Sequence, residues 1–251
     1  MTSLLFYKNV VALDREQHRN LRVRPMPNLT FLDDITAVPV VVGEFSDVAR
    51  QGPIGLLRVS GDEGGGLIPV ALLGLPGGRN LYLDADGKWT GSYIPAFIRR
   101  YPFLFSENGE RLTVCLDRDF PGFSETEGEP LFDATGEPAA FTKNAINLLT
   151  EFQRQVVMTQ GFVKRLQEAG VFTDSAAEVR LEDGRTTTLN GMVTVDEAKL
   201  RAIPEATLKA WFDTGELACV YAHRISLGHL VDLVRKGMNA SGVAPPAAAA
   251  G

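Results

Sequence analysis

Residues 89–105 read WTGSYIPAFIRRYPFLF, a run dominated by aromatic and aliphatic side chains, two prolines and two adjacent arginines. Pro95 stands where a first helical turn would begin and fixes φ there, whereas Pro102 pushes Tyr101 out of helical geometry. The stretch therefore predicts a sharply bent segment around a helix of barely two turns. Tyr93 and Phe97, like Ile94 and Ile98, are four apart and share one side of that helix. Arg99 and Arg100 close its carboxyl end, where the helix dipole favours cations. Two readings follow. In one, the stretch plugs the core, and its arginines cap carbonyls and pair with acids. In the other, Trp89, Tyr93, Arg99, Arg100 and Tyr101 form a clamp that offers stacking, fork-shaped hydrogen bonding and charge to a ligand or partner.

Before the bend, Phe6 to Val11, Val38 to Val42, Ile54 to Val59, Leu67 to Leu73 and Leu81 to Leu83 read as short strands, and Arg111 to Leu116 follows it. Gly, Pro, Asn and Asp separate them, and most are spaced too closely for crossover helices, which predicts a mainly antiparallel sheet. Leu75 to Asn80 reads as a hairpin connection. Gly61 to Gly66 is glycine-rich but lacks the Gly-Lys-Ser/Thr ending of a phosphate loop, and Asp84 to Gly87 has its glycine too early for a calcium loop. A flexible loop and a turn are expected there.

After the bend, Phe120 to Ala140 is polar, acidic and proline-bearing, and reads as an extended surface segment. A long helix is predicted from Lys143 to Ala169, with Ile146, Leu149, Phe152, Val156, Val163 and Leu166 on one stripe and Gly170 just past its end. Ala177 to Leu189 alternates around Asp183-Gly184 and predicts a small hairpin. Further helices are expected over Glu197 to Ala202, from Pro204 to Gly215, and over Leu227 to Lys236 behind a Ser226 cap. The low-complexity end, ASGVAPPAAAAG from Ala240, predicts a disordered tail.

These elements amount to an α+β fold: a mainly antiparallel sheet of five or six strands packed against a long helix, with a helical C-terminal portion. We expect a single domain over residues 1–239, with a β-rich part to residue 118, a linker over 119–142 and a helical part with its hairpin beyond.

The chain has 251 residues, 45% of them hydrophobic, with 31 acidic side chains against 25 lysines and arginines and a net charge of −6. Without a basic block, a nucleic-acid partner is not expected. No run approaches the ~18 apolar residues that cross a bilayer, and MTSLLFYKNVV is too short for a secretory signal, so neither membrane insertion nor a Sec leader is expected. Cytoplasmic residence follows as the expectation, with signal-less export to the surface left open. Cys115 and Cys219 lie far apart in apolar strings and read as buried thiols. His18 reads as solvated, His223 and His229 as structural, and Glu44 with Asp47 as a solvated turn. No hydrolase, zinc or dinucleotide motif is present, so neither a metal nor a cofactor is expected and the pattern leans away from an enzyme.

Tyr7-Lys8-Asn9, Leu13 to His18, Ala71 to Leu75, Asn80-Leu81, Gly87-Lys88-Trp89 and above all Tyr93-Ile94-Pro95-Ala96-Phe97-Ile98-Arg99-Arg100-Tyr101-Pro102-Phe103 resemble the bacterial SapC family. Leu189-Asn190-Gly191, Val195-Asp196-Glu197 and Ala222 to Leu227 resemble its C-terminal half. The likeness spans about residues 4 to 236. It implies an accessory or binding protein linked to a bacterial surface layer or to TonB-dependent nutrient uptake, holding a peptide, a glycan or a partner protein. The alternative it implies is an enzyme, or an enzyme's partner, beside a flavin-dependent tryptophan halogenase-like or oxygenase protein, using dispersed residues such as Glu44, His18 and His223. The family supplies no established catalytic residue to carry across.

Overall fold

Short, β-rich runs broken by turn residues pair wherever their apolar faces can be covered, and the described strands pair antiparallel. The structure is a computed structural model that describes residues 4–59, 66–109, 111–180 and 186–240. In chain order the strands are β1 (Val10–Ala12), β2 (Arg22–Val23), β3 (Ala37–Pro39), β4 (Ile54–Val59), β5 (Gly66–Leu72), β6 (Phe103–Asn108), β7 (Arg111–Asp117), β8 (Phe123–Ser124), β9 (Glu129–Pro130), β10 (Phe172–Arg180) and β11 (Thr186–Val195). The helices are α1 (Phe45–Ala49), α2 (Ala96–Arg99), α3 (Ala140–Glu168), α4 (Glu197–Arg201), α5 (Glu205–Asp213), α6 (Glu216–Ser226) and α7 (Leu230–Ala240).

The chain is α+β as its sequence indicates, but the pairing differs from one sheet of five or six strands. Among the described residues there is a five-stranded sheet in the order β10-β11-β4-β5-β3 and two three-stranded sheets, β1-β7-β6 and β8-β2-β9. The late hairpin is therefore no separate appendage. Met192 and Val193 of β11 pair with Leu57 and Leu56 of β4, so the C-terminal half completes the sheet begun by the N-terminal half. The expected turn at Asp183-Gly184, the glycine loop before Gly66 and the tail beyond Ala240 lie outside the described residues.

Several expected elements are corrected. Leu81 to Leu83 makes a single bridge, Leu83 to Trp89, because the neighbouring backbone is occupied otherwise: Asn80 Oδ1 accepts from Tyr82 N at 2.9 Å, and Thr90 N donates to Tyr82 O at 2.8 Å. The segment over 120–140 is not merely surface. Phe120, Leu131 and Phe132 are buried in the apolar cluster around Phe103 and Leu116, and its two short strands flank β2. Helix α3 starts at Ala140, and Thr142 Oγ1 ties its first turn back to Leu131 O at 2.7 Å. The run ELACVYAHRIS, which carries no strong start signal of its own, forms α6 after Gly215 turns the chain with φ of 79°. His18 is buried and exchanges its Nδ1 contact with the Asp14 backbone at 3.0 Å, contrary to the solvated reading.

The α3 stripe buries Leu149, Phe152, Phe162, Val163 and Leu166. Phe152 meets Phe97 of α2 and Phe162 meets Phe45 of α1, so the long helix rests on the bent segment and on the turn before α1. Each such side chain contributes about 1.5–3 kcal/mol on full burial.

His223 joins three elements. On α6, it accepts Val195 N at Nε2, 3.2 Å away, and its Nδ1 lies 2.8 Å from Ile54 O. One ring nitrogen must accept and the other donate, so the ring is neutral with its proton on Nδ1. Burial pulls its pKa down to about 4. The unfolded chain takes up a proton near pH ~6.5 that the folded ring refuses, so this contribution is complete above that pH and lost as pH falls toward 4. We expect denaturant-derived stability to drop by about 3 kcal/mol over that interval. A folded-state His223 resonance titrating near neutrality would contradict this.

Candidate ligand-binding site

The backbone of the bend is held by polar groups from far earlier in the chain. The short turn Val42–Glu44 carries a glutamate that is only 5% exposed. Its Oε1 accepts Ala96 N, the first amide of α2, at 2.5 Å and Tyr93 Oη at 2.7 Å, and its Oε2 accepts Val41 N at 3.3 Å. A carboxylate at a helix N-terminus satisfies an amide that has no intrahelical partner and favours the dipole. Gln51, after α1, secures the loop in front: its Nε2 donates to Tyr93 O at 2.7 Å, and its Oε1 accepts Tyr93 N at 3.0 Å. Gly91 permits that approach, since a Cβ there would sit 2.6 Å from Gln51 Oε1 and 2.7 Å from Trp89 Nε1.

The two arginines diverge. Arg99 faces outward with 43% of its side chain exposed. Its Nε donates to Ile94 O and its Nη2 to Tyr93 Oη, both at 2.9 Å, while its Cζ lies 5.3 Å from the Tyr93 ring centre. Tyr93 in turn donates to Glu44. Burial, then the Glu44 carboxylate, pushes the Tyr93 pKa up to about 12 against the pull of Arg99, so this hydroxyl stays protonated and transmits the link from guanidinium to carboxylate.

Arg100 turns inward and is 5% exposed. Its Cζ lies 4.2 Å from the Phe97 ring centre, 4.8 Å from Phe152 and 5.8 Å from Tyr7, while Nε and Nη2 have no hydrogen-bond partner. It pairs with no acid among the described residues, contrary to the expectation that both arginines would cap carbonyls or meet carboxylates. Burial lowers its pKa, with Tyr7 opposing, and burial likewise pushes Tyr7 up to about 12. Tyr101 is half-buried against the core: its ring stacks on Phe31 at 4.6 Å, and its hydroxyl donates to Asp117 Oδ2 at 3.2 Å.

Trp89 lies half-buried at the rim, stacked on Tyr82 with centroids 5.3 Å apart, and donates from Nε1 to Tyr93 O at 3.1 Å. Tyr82 and Gln51 also line a small cavity of about 210 Å³ facing α7, whose Lys236 places Nζ 5.7 Å from the Tyr82 ring centre. Trp89, Tyr93 and Arg99 thus share one edge of the bend with access to solvent.

The sequence profile of the SapC family matches residues 13–233, from the first turn to α7. The chain belongs to the SapC family. No curated protein and no solved structure matches it. The Tyr93-to-Phe103 block that carries the SapC resemblance is the same block that packs on α3 and on the Glu44 turn.

Of the five side chains expected in a clamp, Arg99 is exposed, Trp89, Tyr93 and Tyr101 are half-buried, and only Arg100 is committed to the interior of this SapC protein. The dispersed polar trio does not converge. Glu44 is occupied by the bend, His18 by the Asp14 backbone, and His223 by β4 and β11. Glu44, read in the sequence as part of a solvated turn and as one of the dispersed polar residues, is instead buried, and since 52 positions separate it from Ala96 local spacing gives no signal of that bond. Cys219 is only partly buried, with Sγ 3.9 Å from Val42 O. Among the described residues no group of three His, Cys, Asp or Glu is placed to hold a metal ion, and no helix is long and apolar enough to cross a membrane.

Proposed function

We propose that this SapC protein is a non-enzymatic accessory protein that holds a peptide, a glycan or a partner protein, in a surface-layer or TonB-dependent nutrient-uptake setting, at the rim formed by Trp89, Tyr93 and Arg99. The supporting observation is the preset guanidinium. Arg99 is fixed on two sides by Ile94 O and Tyr93 Oη while much of it stays in water, so little side-chain freedom remains to be lost when an acceptor meets its open edge. The half-buried Trp89 ring, backed by the buried Tyr82, supplies an aromatic group of the kind on which sugar and aromatic faces lie.

Arg99→Ala should reduce capture of the retained ligand from the native host by about 10- to 100-fold, corresponding to one charge-assisted hydrogen-bonding group. Its thermal midpoint should move little, because surface substitutions usually cost within about 0.5 kcal/mol. Quantitative mass spectrometry of material co-purified with wild type and variant reads the difference. Identical ligand sets at identical occupancy would remove Arg99 from the site.

A further inference from the structure

The C-terminal half of α3, the Val42–Glu44 turn and helices α5 and α6 enclose an open groove of about 810 Å³. Val42, Val157, Met158, Phe162, Trp211 and Cys219 make it predominantly apolar. Val157 and Met158 are left 60% and 47% exposed on α3, although the same helix buries Leu149, Phe152, Phe162, Val163 and Leu166. A cleft of this size and lining lies within the ~300–1,000 Å³ range of small-molecule sites, in which a few placed polar groups orient an apolar ligand.

One such group is present. Arg165 donates to Glu216 Oε1 from Nε and Nη2, and its Nη1 donates no hydrogen bond among the described residues. That Nη1 lies 3.1 Å from where a Cβ on Gly161 would stand, and Gly161 itself lines the groove, so a charged donor edge overhangs an apolar cleft. Because Glu216 already offsets part of this charge, the edge suits a single negative charge better than a multiply charged phosphate. The exposed Val157 and Met158, one helical step apart with Phe162 a turn further on, offer an apolar surface that runs along α3, which suits an extended chain.

We propose that this groove binds a long-chain carboxylate, its apolar chain against Val157, Met158, Phe162 and Trp211 and its carboxylate on Arg165 Nη1. This site is separate from the Trp89 rim, and its test is independent of that reading. The full-length chain would be titrated with dodecanoate by calorimetry and followed in ¹H–¹⁵N spectra, where the two tryptophans give two indole signals. Saturable binding that moves the Trp211 signal and leaves Trp89 in place is expected.

Gly161→Leu supplies the blocking variant. A Cβ at this position meets only the flexible tip of Arg165, and leucine is the better helix former, so the thermal midpoint should hold or rise while affinity falls by at least about tenfold. Dodecanol should bind at least about tenfold more weakly than dodecanoate, and Arg165→Gln should abolish that preference. Absence of saturable binding, a shift at Trp89 instead of Trp211, undiminished affinity in Gly161→Leu, or equal binding of dodecanol would each overturn the proposal.

Discussion

Glu44→Ala is expected to remove about 3–5 kcal/mol of unfolding free energy in equilibrium denaturation. The side chain serves Ala96 N, Tyr93 Oη and Val41 N from within the interior, and a buried donor left without an acceptor costs about 1–3 kcal/mol. Tyr93 is half-buried and can partly recover its bond from water, which keeps the total below three full penalties. Glu44→Gln retains an acceptor of the same shape without the charge, and should cost only about 1–2 kcal/mol. Arg99 would also lose its ion pair with Glu44, at 4.0 Å, while keeping its bonds to Ile94 O and Tyr93 Oη. A loss below about 1 kcal/mol for the alanine variant would show that the bend is held by its ring packing alone.

Arg100 gives the second large effect, and here opposing magnitudes decide the choice of substitution. Taking a guanidinium out of water costs several kcal/mol, and each desolvated cation–π contact returns about 2 kcal/mol. With Phe97 and Phe152 close and Tyr7 more distant, those terms nearly cancel. Arg100→Met keeps most of the volume and removes both terms, so stability should change by less than about 1.5 kcal/mol. Arg100→Ala leaves a hole between two fully packed rings and should cost about 3–5 kcal/mol. Thermal and denaturant unfolding of the pair reads the contrast. If methionine were as damaging as alanine, the charge itself would be required.

What could be read in the sequence was whatever depends on near neighbours. The α3 stripe, the Ile54-to-Leu72 hairpin strands and the strand from Arg111 follow from periodicity and turn residues within ten or so positions, and they appear with shifts of a few residues at their ends. The aromatic bend was legible in its backbone restriction by Pro95 and Pro102, but its helix is a single turn, Ala96–Arg99, so Tyr93 and Ile94 lie before it and share no helix face with Phe97 and Ile98. The fates of Arg99 and Arg100 were not. They are adjacent on a single turn, and what separates them is Glu44 on one side and the Tyr7, Phe97 and Phe152 rings on the other, three of these four far away in sequence. The addition of β10 and β11 to the main sheet was hidden for the same reason: alternation tells which face of a strand is apolar but not which edge it joins. Of the groove, Val42, Gly215 and Cys219 read in the sequence only as a strand end, a helix end and a buried thiol.

The bend collects its neighbours from Tyr7, Glu44, Asp117 and Phe152, so its order is assembled from chain on both sides of it. During synthesis it leaves the ribosome well before α3, and until Phe152 emerges its rings have no lid. Contacts of such long sequence separation carry loop-closure entropy that local hairpins do not. In refolding experiments, substitutions in this segment should accordingly accelerate unfolding while scarcely slowing the forward rate, the signature of a region that consolidates after the rate-limiting barrier.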